Sequence, residues 1–188
     1  MIFASNNKGK IKEIKKIFKD YEILSLNEVN IDIDIIEDGN SYYENALIKA
    51  KKIFELTGIP TIADDSGLEI IGLNRWPNIK THRIHNDEKK RNEIFIEKTK
   101  DLSDKRIESV CTLVYFDNEN VIDATGILKG TITDKIYEGN GFGFDKIFKL
   151  ENGKIVSELK EDEKNEISAR SKAAKLLLEK LEKRGKWC

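Results

Sequence analysis

The 188-residue sequence has few cysteines, few histidines and no long apolar run, and these absences exclude several classes of protein. Its two cysteines, Cys111 and Cys188, are too few for a disulfide framework, so we expect both to be free thiols. Neither His82 nor His85 has the neighbours that a histidine metal site needs. No apolar stretch approaches membrane-spanning length, and no signal peptide is visible. We therefore expect a soluble, cytoplasmic protein that does not bind a membrane.

An excess of charge of one sign is also missing. The chain has 33 basic and 34 acidic residues, which gives a net charge of -1. This balance provides no overall attraction to nucleic acid, so we expect no nucleic-acid partner, and an anionic ligand needs a local basic cluster. The length and the 39% hydrophobic content are consistent with one domain over residues 1–188.

An acidic motif, Ala63 to Leu68 (ADDSGL), organises the rest of the chain. The apolar run Ile59 to Ile62 before it predicts a short buried strand, so Asp64 and Asp65 are expected where that strand ends, with a tight turn at Gly67. Carboxylates at a strand end can hold a hard divalent cation, and one of them can take a proton from metal-bound water. The alternative is a solvated turn, because Asp, Ser and Gly are common turn residues.

The N-terminal segment predicts a strand, a polar loop and a helix. Ile2 to Ala4 is the strand, the loop is Ser5 to Lys10, and isoleucines at helical spacing follow. Backbone N–H groups at the helix start, with Lys8 and Lys10, would suit a phosphate. The spacing of a P-loop is absent, and either asparagine of the loop can instead be an ordinary helix cap.

A long amphipathic helix is predicted before the acidic motif. Ser41 and Glu44 fit a capping box at its start, and Gly58 marks its end. Capping is one role for Glu44. The other is that its carboxylate points toward Asp64 and Asp65 and contributes to an acidic metal site.

Two features of the second half of the chain suggest ligand contacts. The segment Gly139 to Asp145 interleaves glycines with Phe142 and Phe144, so it can wrap around a ligand and offer a stacking face to a base. Alternatively, the phenylalanines anchor the loop in the core. Arg170 lies on an apolar helical stripe, which indicates either a carboxylate or phosphate partner or a guanidinium that snorkels to water.

Together and in this order, the motifs resemble the inosine triphosphate pyrophosphatase family. The matching segments span nearly the whole chain and are Ser5 to Lys10, Glu44-Asn45-Ala46, Ala63 to Leu68, Gly141 to Asp145, Lys164 and Ser168-Ala169-Arg170. The resemblance implies a mixed α/β fold in which helices flank an elongated sheet, with two lobes, an active-site cleft between them and usually a homodimer. It also implies hydrolysis of non-standard purine nucleoside triphosphates (ITP, dITP or XTP) to the monophosphate and pyrophosphate, which cleanses the nucleotide pool.

The resemblance also implies roles for individual residues. Mg²⁺ would be held by Glu44 and Asp65, and Asp65 or Asp64 would orient or deprotonate the attacking water. Lys10 would act at the phosphates beside these carboxylates. The full set of implied substrate contacts is Ser5, Asn6, Asn7, Lys8, Gly9, Lys10, Ser66, Phe142, Gly143, Phe144, Asp145, Lys164, Ala169 and Arg170.

Two segments depart from the family pattern. The residues Pro77 to Thr81 differ from the family's Pro-Gly-x-Tyr-Ser stretch, and Ala169 stands where the family has histidine. The family uses both segments around the nucleotide, so the same chemistry with a different or relaxed base preference is one alternative. A nucleotide-binding protein without turnover is the alternative from another functional class.

Overall fold

The computed structural model describes residues 1–184, so the thiol expected at Cys188 lies outside the described residues. The strands of the described part are β1 (Ile2–Phe3), β2 (Leu24–Ser25), β3 (Thr61–Ile70), β4 (Trp76–Pro77), β5 (Arg106–Phe116), β6 (Val121–Ile132) and β7 (Phe148–Lys149). Its α-helices are α1 (Lys8–Ile17), α2 (Tyr42–Thr57), α3 (Glu88–Thr99), α4 (Glu161–Ile167) and α5 (Ala169–Lys183).

The strands form one mixed sheet in the order β2-β1-β3-β5-β6-β7, with β4 paired to β3. Strand β1 lies parallel to β2 and β3, with Ile2 opposite Leu24 and Thr61. Strand β4 is antiparallel to β3, and β7 is antiparallel to β6. The mixed α/β class expected from the sequence is confirmed.

The chain divides into two compact units, each assembled from separate stretches of sequence. The first contains Met1–Asp65, Cys111–Gly126 and the chain from Ala169 on, and the second contains Ser66–Val110 and Ile127–Ser168. Strands β3, β5 and β6 contribute residues to both units. Among residues 1–184, no helix combines the length and the apolar character that crossing a bilayer requires.

Helices pack on both faces of the strands of the first unit. One core cluster joins Ile62 of β3 with the apolar sides of α1 and α5. Another joins Ala63, the next residue of β3, with the apolar side of α2. Successive residues of a strand point to opposite faces, so the same alternation directs Asp64 and Asp65 to different helix layers.

The strand that carries the acidic motif is longer than the sequence indicates, and the turn predicted at Gly67 is wrong. Strand β3 continues through the motif to Ile70, and every residue in it except Ser66 is buried. The apolar pattern could not predict this because Asp64 and Asp65 interrupt it. Their burial is tolerated because oppositely charged or amide side chains reach them from helices that are distant in sequence.

Other boundaries follow the sequence prediction more closely. Helix α2 begins after the N-cap Ser41 and ends at Gly58, whose φ of 68° is left-handed. The polar link Asp117 to Asn120 between two β-rich runs predicts a hairpin, and strands β5 and β6 are indeed neighbours joined by a short turn. The apolar stripe from Ile167 to Leu181 predicts one C-terminal helix, but the structure has two helices there, because Ser168 has a ψ of 150° and interrupts the pattern.

The second unit has an apolar core of its own. Leu68 and Ile70 of β3 pack in this core with Phe95 of α3 and Phe148 of β7. The side chain of Thr81 also accepts a hydrogen bond from Leu68 N at 2.8 Å. This hydrogen bond attaches the segment after β4 to β3.

Candidate active site

Asp64 is buried in β3 and lies in a network of opposite charges. Its Oδ2 atom is 3.0 Å from Lys10 Nζ, and Arg170 donates to the same oxygen from Nη2 at 3.0 Å and from Nε at 3.3 Å. The Nη1 atom of Arg170 donates to Glu13 Oε2 at 2.8 Å. Two acidic and two basic side chains therefore balance each other in the first unit.

This network keeps Asp64 ionised. Burial alone would raise the pKa of Asp64, but the charges of Lys10 and Arg170 hold it far below its usual range. A carboxyl group that stays charged near neutral pH is a poor acceptor of protons there. Arg170, expected to bind the triphosphate, is only 7% exposed and directs three of its nitrogens to carboxylates.

Cys111 lies beside the same network. Its Sγ atom is 4.0 Å from Asp64 Oδ2, and the free thiol expected from the sequence is confirmed for this residue. Burial raises the pKa of the Cys111 thiol to about 12. The sulfur is therefore a neutral thiol and not a nucleophile.

Asp65 points to the other helix layer and has a different environment. Its Oδ2 atom accepts a hydrogen bond from Asn45 Nδ2 of α2 at 3.0 Å. Burial raises the pKa of Asp65, the charge of Lys49 and the Asn45 hydrogen bond oppose this rise, and the charges of Glu37 and Asp64 add to it. The net rise in pKa makes Asp65 the stronger proton acceptor of the two adjacent carboxylates.

Two charged residues near Asp65 were missed by the sequence analysis. Lys49 Nζ lies 3.1 Å from Glu37 Oε2. Lys49 follows Asn45 by four residues, so both lie on the same face of α2, and this spacing could have identified it. Glu37 belongs to the irregular segment before α2, where no periodic signal indicates which side chain faces the site.

Glu44, the predicted metal ligand, caps α2 in the structure. It is exposed, its N–H donates to Ser41 Oγ at 3.1 Å, and its Oε2 atom accepts from Asn40 N at 2.6 Å. Within residues 1–184, no group of three or more His, Cys, Asp or Glu side chains could hold a metal ion. Metal binding by Glu44 therefore stays a prediction, and so does metal binding by Asp65.

The predicted phosphate loop leads directly into α1. Asn7 is the N-cap, and its side chain accepts from Lys10 N at 3.1 Å. Lys8 and Gly9 are the first residues of α1, where N–H groups have no acceptor inside the helix. The helix start and the Lys10 ammonium thus belong to one short segment.

Four other predicted contacts are placed individually. The Ser5 hydroxyl accepts from the N–H of the N-cap, Asn7, at 3.1 Å, and Asn6 Oδ1 accepts from Asn27 N at 2.9 Å. Ser66 is partly exposed in β3, whereas Ala169 is 3% exposed at the start of α5. Ser5 and Asn6 therefore organise the loop before α1 through hydrogen bonds to backbone N–H groups.

The glycine-phenylalanine loop of the second unit, residues 139–145, is held by Asp145 within it and by Lys164 of α4. Asp145 Oδ2 accepts from Phe142 N at 2.9 Å and from Lys164 Nζ at 2.6 Å. Lys164 Nζ also lies 4.0 Å from the centroid of the Phe142 ring. Gly141 has a φ of 95°, and a Cβ atom there would be 2.3 Å from Asp145 Oδ2. The structure thus brings Phe142, Asp145 and Lys164 together.

The two phenylalanines of this loop have different surroundings. The Phe144 ring lies 6.4 Å from the Phe148 ring and packs against the core of the second unit. The Phe142 ring carries Lys164 over its face. Core anchoring, the alternative left open by the sequence, therefore describes Phe144, whereas Phe142 has the cationic neighbour.

Comparison with known proteins identifies the family. The model of the Ham1 family matches residues 1–180. The chain belongs to the Ham1 family. This Ham1 chain is 39% identical over 195 aligned positions to the "dITP/XTP pyrophosphatase" of Clostridium perfringens, with 96% of each chain covered. It is 35% identical to the protein of the same name from Staphylococcus epidermidis, covering 97% of this chain and 96% of that relative.

A solved structure agrees with this assignment. The Staphylococcus aureus Ham1 protein superposes with a TM-score of 0.88 at 34% identity, covering 97% of this chain and 98% of that one. The family resemblance inferred from the sequence motifs is therefore confirmed over nearly the whole Ham1 chain.

The two adjacent carboxylates should differ in their effect on stability. Asp64→Asn should lower the free energy of unfolding at pH 7 by about 3–5 kcal/mol, because it leaves Arg170 buried beside a neutral amide. The folded-state pKa of Asp64 is lowered, so its stabilisation is present above its unfolded pKa and is lost as the pH falls through the folded pKa. Chemical denaturation at pH 7 measures the loss.

Asp65→Asn is the matched control for this comparison. The folded-state pKa of Asp65 is raised, so its ionised form opposes folding at neutral pH. Asparagine is nearly isosteric and keeps an acceptor for Asn45, so the free energy of unfolding should be unchanged or higher. Equal losses in the two variants would contradict the assignment of separate environments.

The pKa of Asp65 should respond in opposite directions to changes at Lys49 and Glu37. Lys49→Gln should raise it, because a positive charge is removed and the charge of Glu37 remains. Glu37→Gln should lower the pKa of Asp65, because a negative charge is removed and the charge of Lys49 remains. Carbon-13 NMR titration of the Asp65 carboxyl group measures both shifts, with Lys52→Gln on the exposed side of α2 as the control. A shift of the same sign in both variants would show that these charges do not act on Asp65.

Proposed function

We propose that this chain hydrolyses non-standard purine nucleoside triphosphates, such as dITP, XTP and ITP, to the nucleoside monophosphate and pyrophosphate. The names of its Ham1 relatives support the substrate class and the reaction. The proposal rests most directly on one structural observation: of the two adjacent buried carboxylates, Asp64 faces the cations Lys10 and Arg170, whereas Asp65 faces the amide of Asn45. These surroundings shift their pKa values in opposite directions. Pairs of this kind separate a fixed charge from a group that exchanges a proton.

Asp65 is the proposed general base. Its raised pKa favours uptake of a proton from the attacking water, and the Asn45 hydrogen bond orients the carboxylate. The water oxygen forms a bond to the α-phosphorus, the bond between that phosphorus and the bridging oxygen breaks, and pyrophosphate leaves. Asp64 does not exchange the proton. It holds the Lys10 ammonium, which stabilises the charge that develops on the phosphates.

Mg²⁺ is the proposed cofactor. The chemistry of the donor set fits a hard cation, because Asp65 offers carboxylate oxygens and the carboxylate of Glu37 is near enough for its charge to act on Asp65. Mg²⁺ held there would neutralise charge on the phosphates and would make a nearby water easier to deprotonate. Asp65 is one proposed ligand. Glu44, predicted from the sequence, and Glu37, which the structure supports better, compete for the second position.

The remaining predicted contacts divide between phosphate and base. The segment Ser5 to Lys10 would bind phosphate oxygens through the N–H groups at the start of α1 and through short polar side chains, with Ser66 as a further hydroxyl. Phe142 and Phe144 would contact the purine. Lys164 and Asp145 would contact the substrate next to Phe142, where Lys164 donates a hydrogen bond to Asp145. The location of Arg170 in the Asp64 network supports a positioning role for it.

The homodimer and the cytoplasmic location inferred from the sequence are also proposals. Their support is the resemblance to the family and the composition of the chain. A relaxed base preference, the alternative left open by the sequence, is a proposal too. Its support is Ala169, which lacks a side chain that could hydrogen-bond to a purine.

The reaction itself can be tested with product analysis. With Mg²⁺, dITP, XTP and ITP should each yield the monophosphate and pyrophosphate. Asp65→Asn should lower kcat by roughly 10²- to 10⁴-fold, since it removes the general base. Asp123→Asn, which alters an exposed carboxylate of β6, should leave kcat unchanged.

Two results would contradict these assignments. Release of orthophosphate and a nucleoside diphosphate would refute attack at the α-phosphorus. Turnover of Asp65→Asn close to that of the unmodified protein would assign water activation to another group, with Asp64 the first to be examined.

The second metal ligand can be identified by comparing two carboxylate variants. Glu37→Gln should raise the Mg²⁺ concentration for half-maximal activity and weaken the Mg²⁺-dependent thermal shift. Glu44→Gln should mainly lower the Tm, because the carboxylate that accepts from Asn40 N becomes a weaker acceptor. If Glu44→Gln has the larger effect on the Mg²⁺ requirement, Glu44 is the ligand.

A further inference from the structure

Asn92 of α3 is bound to the backbone of the glycine-phenylalanine loop. Its Nδ2 atom donates to Gly143 O at 2.9 Å. The side chain is 1% exposed, and its Oδ1 atom is buried without a hydrogen-bond partner in the described part of the chain. A buried amide with an unpaired oxygen is unfavourable for folding. The hydrogen bond that Asn92 donates to the loop therefore explains why an asparagine is present at this position.

The bond to Gly143 O fixes the direction of the next N–H group. The carbonyl of Gly143 and the N–H of Phe144 belong to one trans peptide unit, in which they point in opposite directions. Because Asn92 holds the carbonyl toward α3, the N–H of Phe144 points away from the Asn92 side chain. No backbone carbonyl among residues 1–184 accepts a hydrogen bond from it. The Phe144 carbonyl is fixed as well, because it accepts from Ile147 N at 3.1 Å.

Hydrogen bonds on both sides of this peptide unit limit its orientation. Gly143 has a φ of 69°, a left-handed conformation that glycine adopts without strain. On either side of this peptide unit, Asp145 Oδ2 binds Phe142 N and the carbonyl of Phe144 is bonded. The Phe144 N–H is therefore an oriented hydrogen-bond donor in a loop that also carries two aromatic rings.

We propose that Asn92 is a positioning residue for base selection, which directs the Phe144 N–H to the 6-oxo group of a bound purine. This inference rests on the proposed function. Hypoxanthine and xanthine carry an oxygen acceptor at the 6-position, whereas adenine carries an amino donor there. A fixed N–H donor can bind hypoxanthine and xanthine through this oxygen. It disfavours adenine, because two hydrogen-bond donors would then face one another. Recognition of the 6-oxo group by a backbone N–H does not require a hydrogen-bonding side chain at position 169, where this chain has Ala169.

The test compares two substrates that differ only at the 6-position. ITP carries the oxygen, and purine riboside triphosphate carries a hydrogen. The unmodified protein should favour ITP in kcat/KM by about threefold to tenfold, the worth of one net hydrogen bond. In Asn92→Leu and Asn92→Ala, this ratio should fall toward one through a higher KM for ITP, while kcat stays within about twofold because the interaction contributes to binding.

Thr99→Val is the matched control. Thr99 is a buried polar residue on the same helix, and its hydroxyl donates within that helix, to Phe95 O at 2.8 Å. The control should keep the ratio of the unmodified protein. The Tm of Asn92→Leu should fall no further than that of Thr99→Val, because leucine removes the unpaired amide oxygen.

The outcomes distinguish this inference from the function on which it rests. Equal rises in KM for both substrates in the Asn92 variants, with the ratio retained, would overturn the inference and leave a purely structural role. A ratio near one in the unmodified protein would overturn it without any variant. Failure of the unmodified protein to release pyrophosphate from either substrate would overturn the proposed function and the inference together.

Discussion

The buried charge of Asp64 is the constraint on which the first unit depends. A carboxylate in the middle of a sheet is tolerated only when cations and hydrogen-bond donors surround it. Lys10 comes from α1 and Arg170 from α5, so the balance of charge links two helices to β3. Glu13 completes this balance by binding the side of Arg170 that Asp64 does not use. The location of Arg170 thus follows from the charge of Asp64.

The pleat of β3 separates the two carboxylates chemically. Asp64 and Asp65 are adjacent in sequence, yet one faces the α1 and α5 layer and the other faces α2. One carboxylate is surrounded by cations, while the other receives an amide hydrogen bond and the opposing charges of Lys49 and Glu37. A turn would have left both in similar solvent-exposed surroundings. The extended strand therefore makes two roles possible within a two-residue motif.

The second unit shows how local chemistry and tertiary contacts combine in a loop. Glycines with left-handed φ values at 139, 141 and 143 allow the chain to fold tightly around Asp145. The carboxylate of Asp145 accepts hydrogen bonds from Lys164 and from the N–H of Phe142, so the acid that was expected to contact the substrate is already engaged with the loop. Asn92 fixes the remaining peptide unit from α3. The orientation of the backbone, and not of the acidic side chain, then becomes the feature available for recognition.

The sequence by itself determined the mixed α/β class, the long helix from Ser41 to Gly58, the β5–β6 hairpin and the family, because each of these depends on local patterns or ordered motifs. It also singled out Asp64 and Asp65, though not their separation. Tertiary structure alone decided that β3 runs through both carboxylates, that Arg170 binds Asp64, and that Glu37 and Asn92 lie near the predicted site residues. These contacts depend on which faces of distant segments meet, and burial and charge balance decide that only once the sheet and helices are packed.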